Sequence, residues 1–264
     1  MDSSFYETAG PGSYVGTAAT VGPWSPDAQH GGPPSALAVL AMERHEPDGR
    51  QRLARVTVDI LRPIPVGKVS LRTQMIRSSR RVALVEAVME ADGVEVMQAR
   101  GWRIERSAGK VPEVPDGAGS PASMPSASTG PPPEIFARNQ RGYLAAIEWR
   151  FLASPAGAGG RAAWTRPRIP LLPDGTMSPM SPMSRALLVA DSGSGVGAAL
   201  PPAKYLFINV DITVVLPRDP AGEWLLLESC TVIGADGAGL ATTRLSDPAG
   251  CCGYGWQTLL VAPR

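Results

Sequence analysis

The chain has 264 residues, enough for one large domain or two small ones with a substantial core. Its formal charge is +1 and only 19% of its residues are charged, so no basic field points to nucleic acid or to an anionic membrane surface. No apolar run is long enough to span a bilayer, which leaves a soluble cytoplasmic protein as the expectation.

The N-terminal MDSSFYETAGPG has neither a basic n-region nor an apolar h-region, so no signal peptide is expected. From Phe5 to Ala28, short β-prone pieces such as Ser13-Tyr14-Val15-Gly16-Thr17 mix with Gly and Pro, and the segment includes Gly22-Pro23-Trp24. HGGPPSALAVLAMER follows. His30-Gly31-Gly32 permits a tight approach, and Pro33 and Pro34 suit a first helical turn. Ser35 to Met42 is apolar on every face, which marks a buried helix. In ARVTVDILRPIPVG, Val56, Val58 and Ile60 alternate with Thr57 and Asp59, the period of a strand. Further strands are predicted at Lys68 to Ile76, Val82 to Glu90 and Glu95 to Ile104, with Ala91-Asp92-Gly93 as a hairpin turn.

From Ser107 to Pro133 the composition shifts to Gly, Ser, Ala and Pro with few large apolar residues, the signature of a linker. The predicted organisation is an N-terminal unit at 1–106, a linker at 107–133 and a C-terminal unit at 134–264. Beyond the linker, strands are predicted at Gly142 to Ala153 and Arg161 to Arg168, then at Tyr205 to Val215, Glu223 to Gly234 and Leu240 to Ser246. The last strand runs from Cys251 to Val261 and holds two of the three cysteines. Cys251 and Cys252 point to opposite faces there, and with Cys230 they show no metal-ligand spacing. All three read as small core residues of a reduced, intracellular protein.

Between these strands lies MSRALLVADSGSGVGAAL. Ser184 to Ala190 is almost wholly apolar, and the helix it predicts stops at Asp191, before Ser192-Gly193-Ser194-Gly195. Burial and the negative end of a helix dipole both disfavour charge at Asp191, a setting in which a carboxylate can act as a base. The plain alternative is that Asp191 is the first polar residue after a core helix. Gln257 shares a strand face with Leu259 and Val261, so its amide needs a buried partner: a backbone group or a held water. Asn209 alternates with Phe207 and Asp211 on a mixed face, which suits a structural role.

The order of elements recurs. Val58-Asp59-Ile60 matches Val210-Asp211-Ile212, each after an apolar helix and before a Pro/Gly turn and three strands. An apolar helix followed by a curved antiparallel sheet implies a sheet wrapped around a helix, twice over.

With Gly22-Pro23-Trp24, His30-Gly31-Gly32-Pro33-Pro34, Ala163-Trp164-Thr165-Arg166, Ala190 to Gly195, Asn209-Val210-Asp211-Ile212 and Gln257 in this order, the whole chain outside the linker resembles the acyl-CoA thioesterases of the double hotdog class. The resemblance implies an α+β fold of two hotdog repeats, each a curved antiparallel sheet around a buried apolar helix. It also implies hydrolysis of an acyl-CoA thioester by an activated water, with no covalent intermediate and no metal or other cofactor. In the related bacterial type II thioesterases an Asp, a Thr and a Gln hold that water. Those positions fall on Asp191, Asn209 and Gln257, so Asn209 departs from the pattern. The residues expected to contact substrate are His30, Gly31, Gly32, Ser192 and Gly193. A homodimer or larger homo-oligomer is expected, and neither nucleic acid nor membrane is an expected partner.

The two repeats are not equivalent: Met42 stands where the second repeat has Asp191, and Thr57 where it has Asn209. One active centre per chain is therefore expected, built mainly from the second half. His30 is either a general base or a packed residue at a helix start, and the structural role is the reading taken. His45 and the Arg77-Ser78-Ser79-Arg80-Arg81 turn read as solvated, although the turn could meet the phosphates of coenzyme A. A serine hydrolase lacks its Gly-x-Ser-x-Gly elbow and a partner for either histidine. A metalloenzyme lacks clustered ligands, and a hotdog hydratase lacks its Asp and His pair in one segment. The remaining alternative is an acyl-CoA or lipid-binding protein without catalysis.

Overall fold

Two buried helices meet at the centre of the molecule. A computed structural model describes residues 2–107, 109–117, 119–153, 160–173 and 180–264; Met1 and the linker residues Ala108 and Ala118 lie outside these. The helix α1 (Gly32–Arg44) begins with Pro33 and Pro34, where no amide donor is needed, and its Ala36, Leu37, Ala38, Val39 and Met42 have no exposed surface. The strands of the first half are β1 (Tyr6–Gly10), β2 (Ser13–Gly16), β3 (Gln51–Ile60), β4 (Lys68–Arg77), β5 (Val82–Ala91) and β6 (Val94–Glu105). The second half comprises α2 (Glu134–Arg138), α3 (Tyr143–Ala146), β7 (Ile147–Phe151), β8 (Arg161–Pro167), α4 (Pro182–Ala190), α5 (Gly193–Val196), β9 (Tyr205–Asn209), β10 (Asp211–Val215), β11 (Leu225–Ile233), β12 (Ala238–Asp247) and β13 (Gly250–Pro263).

Among the described residues the strands form one antiparallel sheet, ordered β1-β2-β4-β5-β6-β3-β10-β13-β12-β11-β8-β7, with β9 also paired to β13. The order reads the same from either end: β1 to β6 and β7 to β13 repeat one topology, joined where β3 meets β10. At that seam Thr57 pairs with Thr213 and Asp59 with Asp211, and the two Thr hydroxyls lie 2.9 Å apart. Each half of the sheet curves around its own helix. The helices pack on each other, and Ser184 Oγ of α4 donates to the Ala36 carbonyl of α1 at 3.0 Å. Full burial of a Leu or Val such as Leu187, Leu188 or Val189 contributes roughly 1.5–3 kcal/mol apiece. No helix among the described residues is long and apolar enough to cross a membrane.

Two expectations are revised. The strand predicted from Tyr205 to Val215 breaks at Val210. Asn209 pairs with Leu259 and Thr213 with Trp256, so four steps on one strand face three on its neighbour, a β-bulge that sets Asn209 at the edge of a cavity. The strand predicted from Gly142 begins instead with the single turn α3, entered through Gly142 at φ +56°. A side chain at Gly142 would meet the Val21 carbonyl at 2.5 Å, so glycine is needed for both reasons.

The segment predicted as a linker is bonded to the rest of the chain. Its described residues hold no helix or strand but do not run free. Asp116 accepts from Arg244 at 2.8 Å and from the Tyr254 hydroxyl at 2.9 Å. Further on, Trp164 Nε1 donates to the Ala122 carbonyl at 3.1 Å, and the Thr129 amide donates to the Phe151 carbonyl at 2.8 Å. The segment thus straps the second half, and Trp164 is 1% exposed in an apolar cluster of its own with Ala162 and Leu226.

Candidate active site

The N-terminus of α1 and the C-terminus of α4 converge on Asp191. This residue caps α4 and is followed directly by α5, so its side chain leaves the helix end toward the start of the other helix. The carboxylate is 2% exposed and receives donors from three side chains. Asp191 Oδ1 accepts from Asn209 Nδ2 at 2.8 Å and from Gln257 Nε2 at 3.3 Å. Asp191 Oδ2 lies 2.8 Å from His30 Nδ1, on an imidazole that is itself 11% exposed. The Gly32 amide also points at His30 Nδ1, at 3.2 Å. Both contacts cannot be hydrogen bonds to one nitrogen in one protonation state. The shorter, charge-assisted contact decides it: Nδ1 carries the proton and donates to Asp191, which leaves Nε2 available.

Each partner is itself held. Gln257 Nε2 also donates to the Asp191 carbonyl at 3.0 Å, and its Oε1 accepts from the Ser194 amide at 3.0 Å. The buried amide therefore locks the α4–α5 junction as well as touching the carboxylate. His30 stacks on Tyr143, with ring centroids 3.7 Å apart and planes 13° apart. The fully buried Tyr143 hydroxyl donates to the Leu188 carbonyl at 2.7 Å and lies 2.9 Å from Ser192 Oγ, and burial pushes its phenol well up. One ring thus ties the plane of His30 to the end of the helix that carries Asp191.

His30, Gly31, Asp191, Ser192 and Asn209 line a cavity of about 390 Å³. Its other walls are largely apolar and include Trp24, Ile64, Phe136, Leu144 and Phe207. Gly32, Gly193 and Gln257 stand behind the cavity wall rather than in it. The glycines serve close approach. A side chain at Gly31 would meet Asp191 Oδ2 at 2.8 Å, one at Gly32 would run into the Leu188 carbonyl, and one at Gly193 into Thr243 Oγ1.

The structure brings Asp191, Asn209, Gln257 and His30 together. His30 has a carboxylate partner after all, supplied by the other half of the chain, so the first half adds His30 to three residues of the second. Tyr143 was not expected; it lies in a helical turn of four residues, too short to show a period. Met42, in the place corresponding to Asp191, is fully buried against Gly101. His45 is half-buried and bonds Thr73 at 2.9 Å instead of being solvated. The Arg77 to Arg81 turn is exposed and does not line the cavity.

Two helices wrapped by one continuous sheet with a seam between repeats define a double hotdog protein. Residues 20–104 match the acyl-CoA thioesterase N-terminal domain and residues 116–261 the acyl-CoA thioesterase C-terminal domain, and the chain belongs to this acyl-CoA thioesterase family. Its fold is similar to that of a protein assigned as a thioesterase II from Thermobifida fusca YX (TM-score 0.72, 15% identity, 98% of this chain and 96% of that one). It is also similar to one assigned as a thioesterase from Novosphingobium aromaticivorans DSM 12444 (0.72, 21%, 97% and 98%). An acyl-CoA thioesterase II from Mycobacterium marinum is a third (0.64, 15%, 98% and 95%). No curated protein matches.

Proposed function

We propose that the chain hydrolyses acyl-CoA thioesters with a water activated at Asp191. The observation that carries this reading is the buried Asp191 carboxylate at the wall of an apolar cavity, held by Asn209, Gln257 and His30. Water adds to the thioester carbonyl carbon while its proton passes to the Asp191–His30 pair, where the carboxylate offsets the imidazolium charge. The tetrahedral intermediate collapses, the C–S bond breaks, and the proton goes to the departing sulfur. The products are a carboxylic acid and coenzyme A. Asn209 replaces a threonine hydroxyl with an amide that donates to the carboxylate and keeps a carbonyl oxygen for the water. Gln257 fixes the helix end from behind, and Gly31, without a side chain, leaves the carboxylate room.

The test is thiol release from a panel of acyl-CoAs by the wild type and by Asp191→Ala. Turnover by the wild type alone supports the assignment; equal turnover by both overturns it. Asn209 favours a second reading, a non-catalytic acyl-CoA-binding protein, because its amide occupies Asp191 Oδ1, where water would otherwise bind. Saturable acyl-CoA binding without thiol release would select that reading.

The assembly proposed is a homodimer or larger, supported by Val232, Leu240, Trp256 and Leu260 on the outer sheet face, which are 39–61% exposed. Light scattering tests it. Cys230, Cys251 and Cys252 form no disulfide with one another, which suits a reducing compartment such as the cytoplasm.

A further inference from the structure

The cavity wall changes character from rim to interior. Leu61, Arg62 and Val210 at the rim are exposed, whereas Ile135, Phe136 and Leu144 are buried. These inner residues come from α2 and α3, the short turns that follow the linker. Phe136 sits edge-on to Trp149 at 4.8 Å and to Phe151 at 5.0 Å, and neither of those rings lines the cavity. On its other side Phe136 seats against Gly195, where an added Cβ would lie 3.3 Å from Phe136 Cε2. Phe136 is therefore a partition. The cavity is on one side and an aromatic cluster is on the other, and the ring edge rests against the backbone at Gly195.

We infer that Phe136 is the end-stop of the acyl pocket, and that the substrate carries a compact apolar acyl group rather than a long chain. The inference rests on the acyl-CoA reading above and deepens it. A cavity of about 390 Å³ lies near the small end of ligand pockets, which run to about 1,000 Å³. It has to admit the thioester as well as the acyl group. A chain that enters past Asp191 meets the Phe136 ring, which the two aromatic rings behind it brace against displacement. Gly195 cannot yield in its place, because α5 is held to β13 through the Ser194–Gln257 hydrogen bond.

The experiment is a chain-length profile of kcat/KM, from acetyl- to palmitoyl-CoA, for wild type, Phe136→Ala, Phe136→Leu and Phe136→Trp. Circular dichroism identifies the folded variants. The wild type should prefer short or medium chains. Removing ring volume should move the preference to longer chains, raising the long-to-short ratio by about tenfold or more, and tryptophan should move it to shorter ones. Phe136→Leu keeps an apolar packing group should Phe136→Ala fail to fold. A wild-type preference for palmitoyl-CoA, or one unchanged profile across folded Leu and Trp variants, overturns the inference. Should the wild type release no thiol from any substrate, the hydrolase reading is the one that fails. Calorimetric binding of the same acyl-CoAs then reads the same shifts: their presence supports the end-stop and their absence overturns it.

Discussion

His30 Nδ1 and Asp191 Oδ2 lie 2.8 Å apart across the boundary between the two halves of the chain, one at the head of a buried helix and one at the tail of another. The pair is built as a unit, so its members should fail together. Asp191→Asn and His30→Ala are each expected to lower kcat/KM by about 10²–10⁴, the usual worth of a general base. The double variant should be little worse than the weaker single one, because removing either partner leaves the other without function. Multiplying losses in the double variant would mean that the two residues act independently.

Tyr143 should act on catalysis without touching substrate, since it is buried behind His30 and absent from the cavity wall. Tyr143→Phe keeps the stacked ring but leaves the Leu188 carbonyl without its hydroxyl donor, at a cost of about 1–3 kcal/mol in stability. Tyr143→Leu loses the stack as well. The expected series is a kcat that falls slightly with Phe and strongly with Leu, at a constant KM. A rise in KM alone would place the residue in substrate binding instead.

Gly31→Ala tests close approach at the site. The added methyl would sit 2.8–3.0 Å from both carboxylate oxygens of Asp191, too near for an apolar group. The carboxylate must swing away, so activity should collapse while the thermal midpoint falls by only a few degrees. Full activity in the folded variant would show that the observed carboxylate position is not the working one.

The cysteines should be poor nucleophiles in the folded protein. Burial pushes the Cys252 thiol up to about 12, so at pH 8 only about one part in 10⁴ is thiolate, and burial raises Cys251 as well. Iodoacetamide at pH 8 should leave Cys252 unmodified in the native state and label it readily in urea, as mass spectrometry of peptides can show. Rapid native labelling would contradict the packing of β13.

Both central helices were legible in the sequence because their apolar residues cover every face, and only a buried helix tolerates that. Asp191 and Gln257 were legible too, as polar residues where the pattern is otherwise apolar. Hydrophobic period reports which way a residue faces within its own element, and it is silent on which distant element arrives there. The meeting of His30 with Asp191 was hidden for that reason, and His30 read as a packed residue. The bulge at Val210 left no mark in the β-rich run from Tyr205 to Val215, because its cause is pairing with two neighbours, β3 and β13, at once. The linker looked unstructured by composition, yet Asp116 fastens it to Arg244 and Tyr254, and the Ala122 carbonyl and Thr129 amide bond it further on.

The seam at Thr57 and Thr213 has a practical consequence. On the reading proposed above, neither half would work by itself, because the 2.8 Å pair takes His30 from the first and Asp191 from the second. A chain cut in the linker and expressed as two pieces would be silent until the pieces found one another, so thioester cleavage would become a direct signal of reassembly. By the same reasoning, the repeated topology carries no spare copy of the proposed chemistry. It carries one proposed site, divided between two owners.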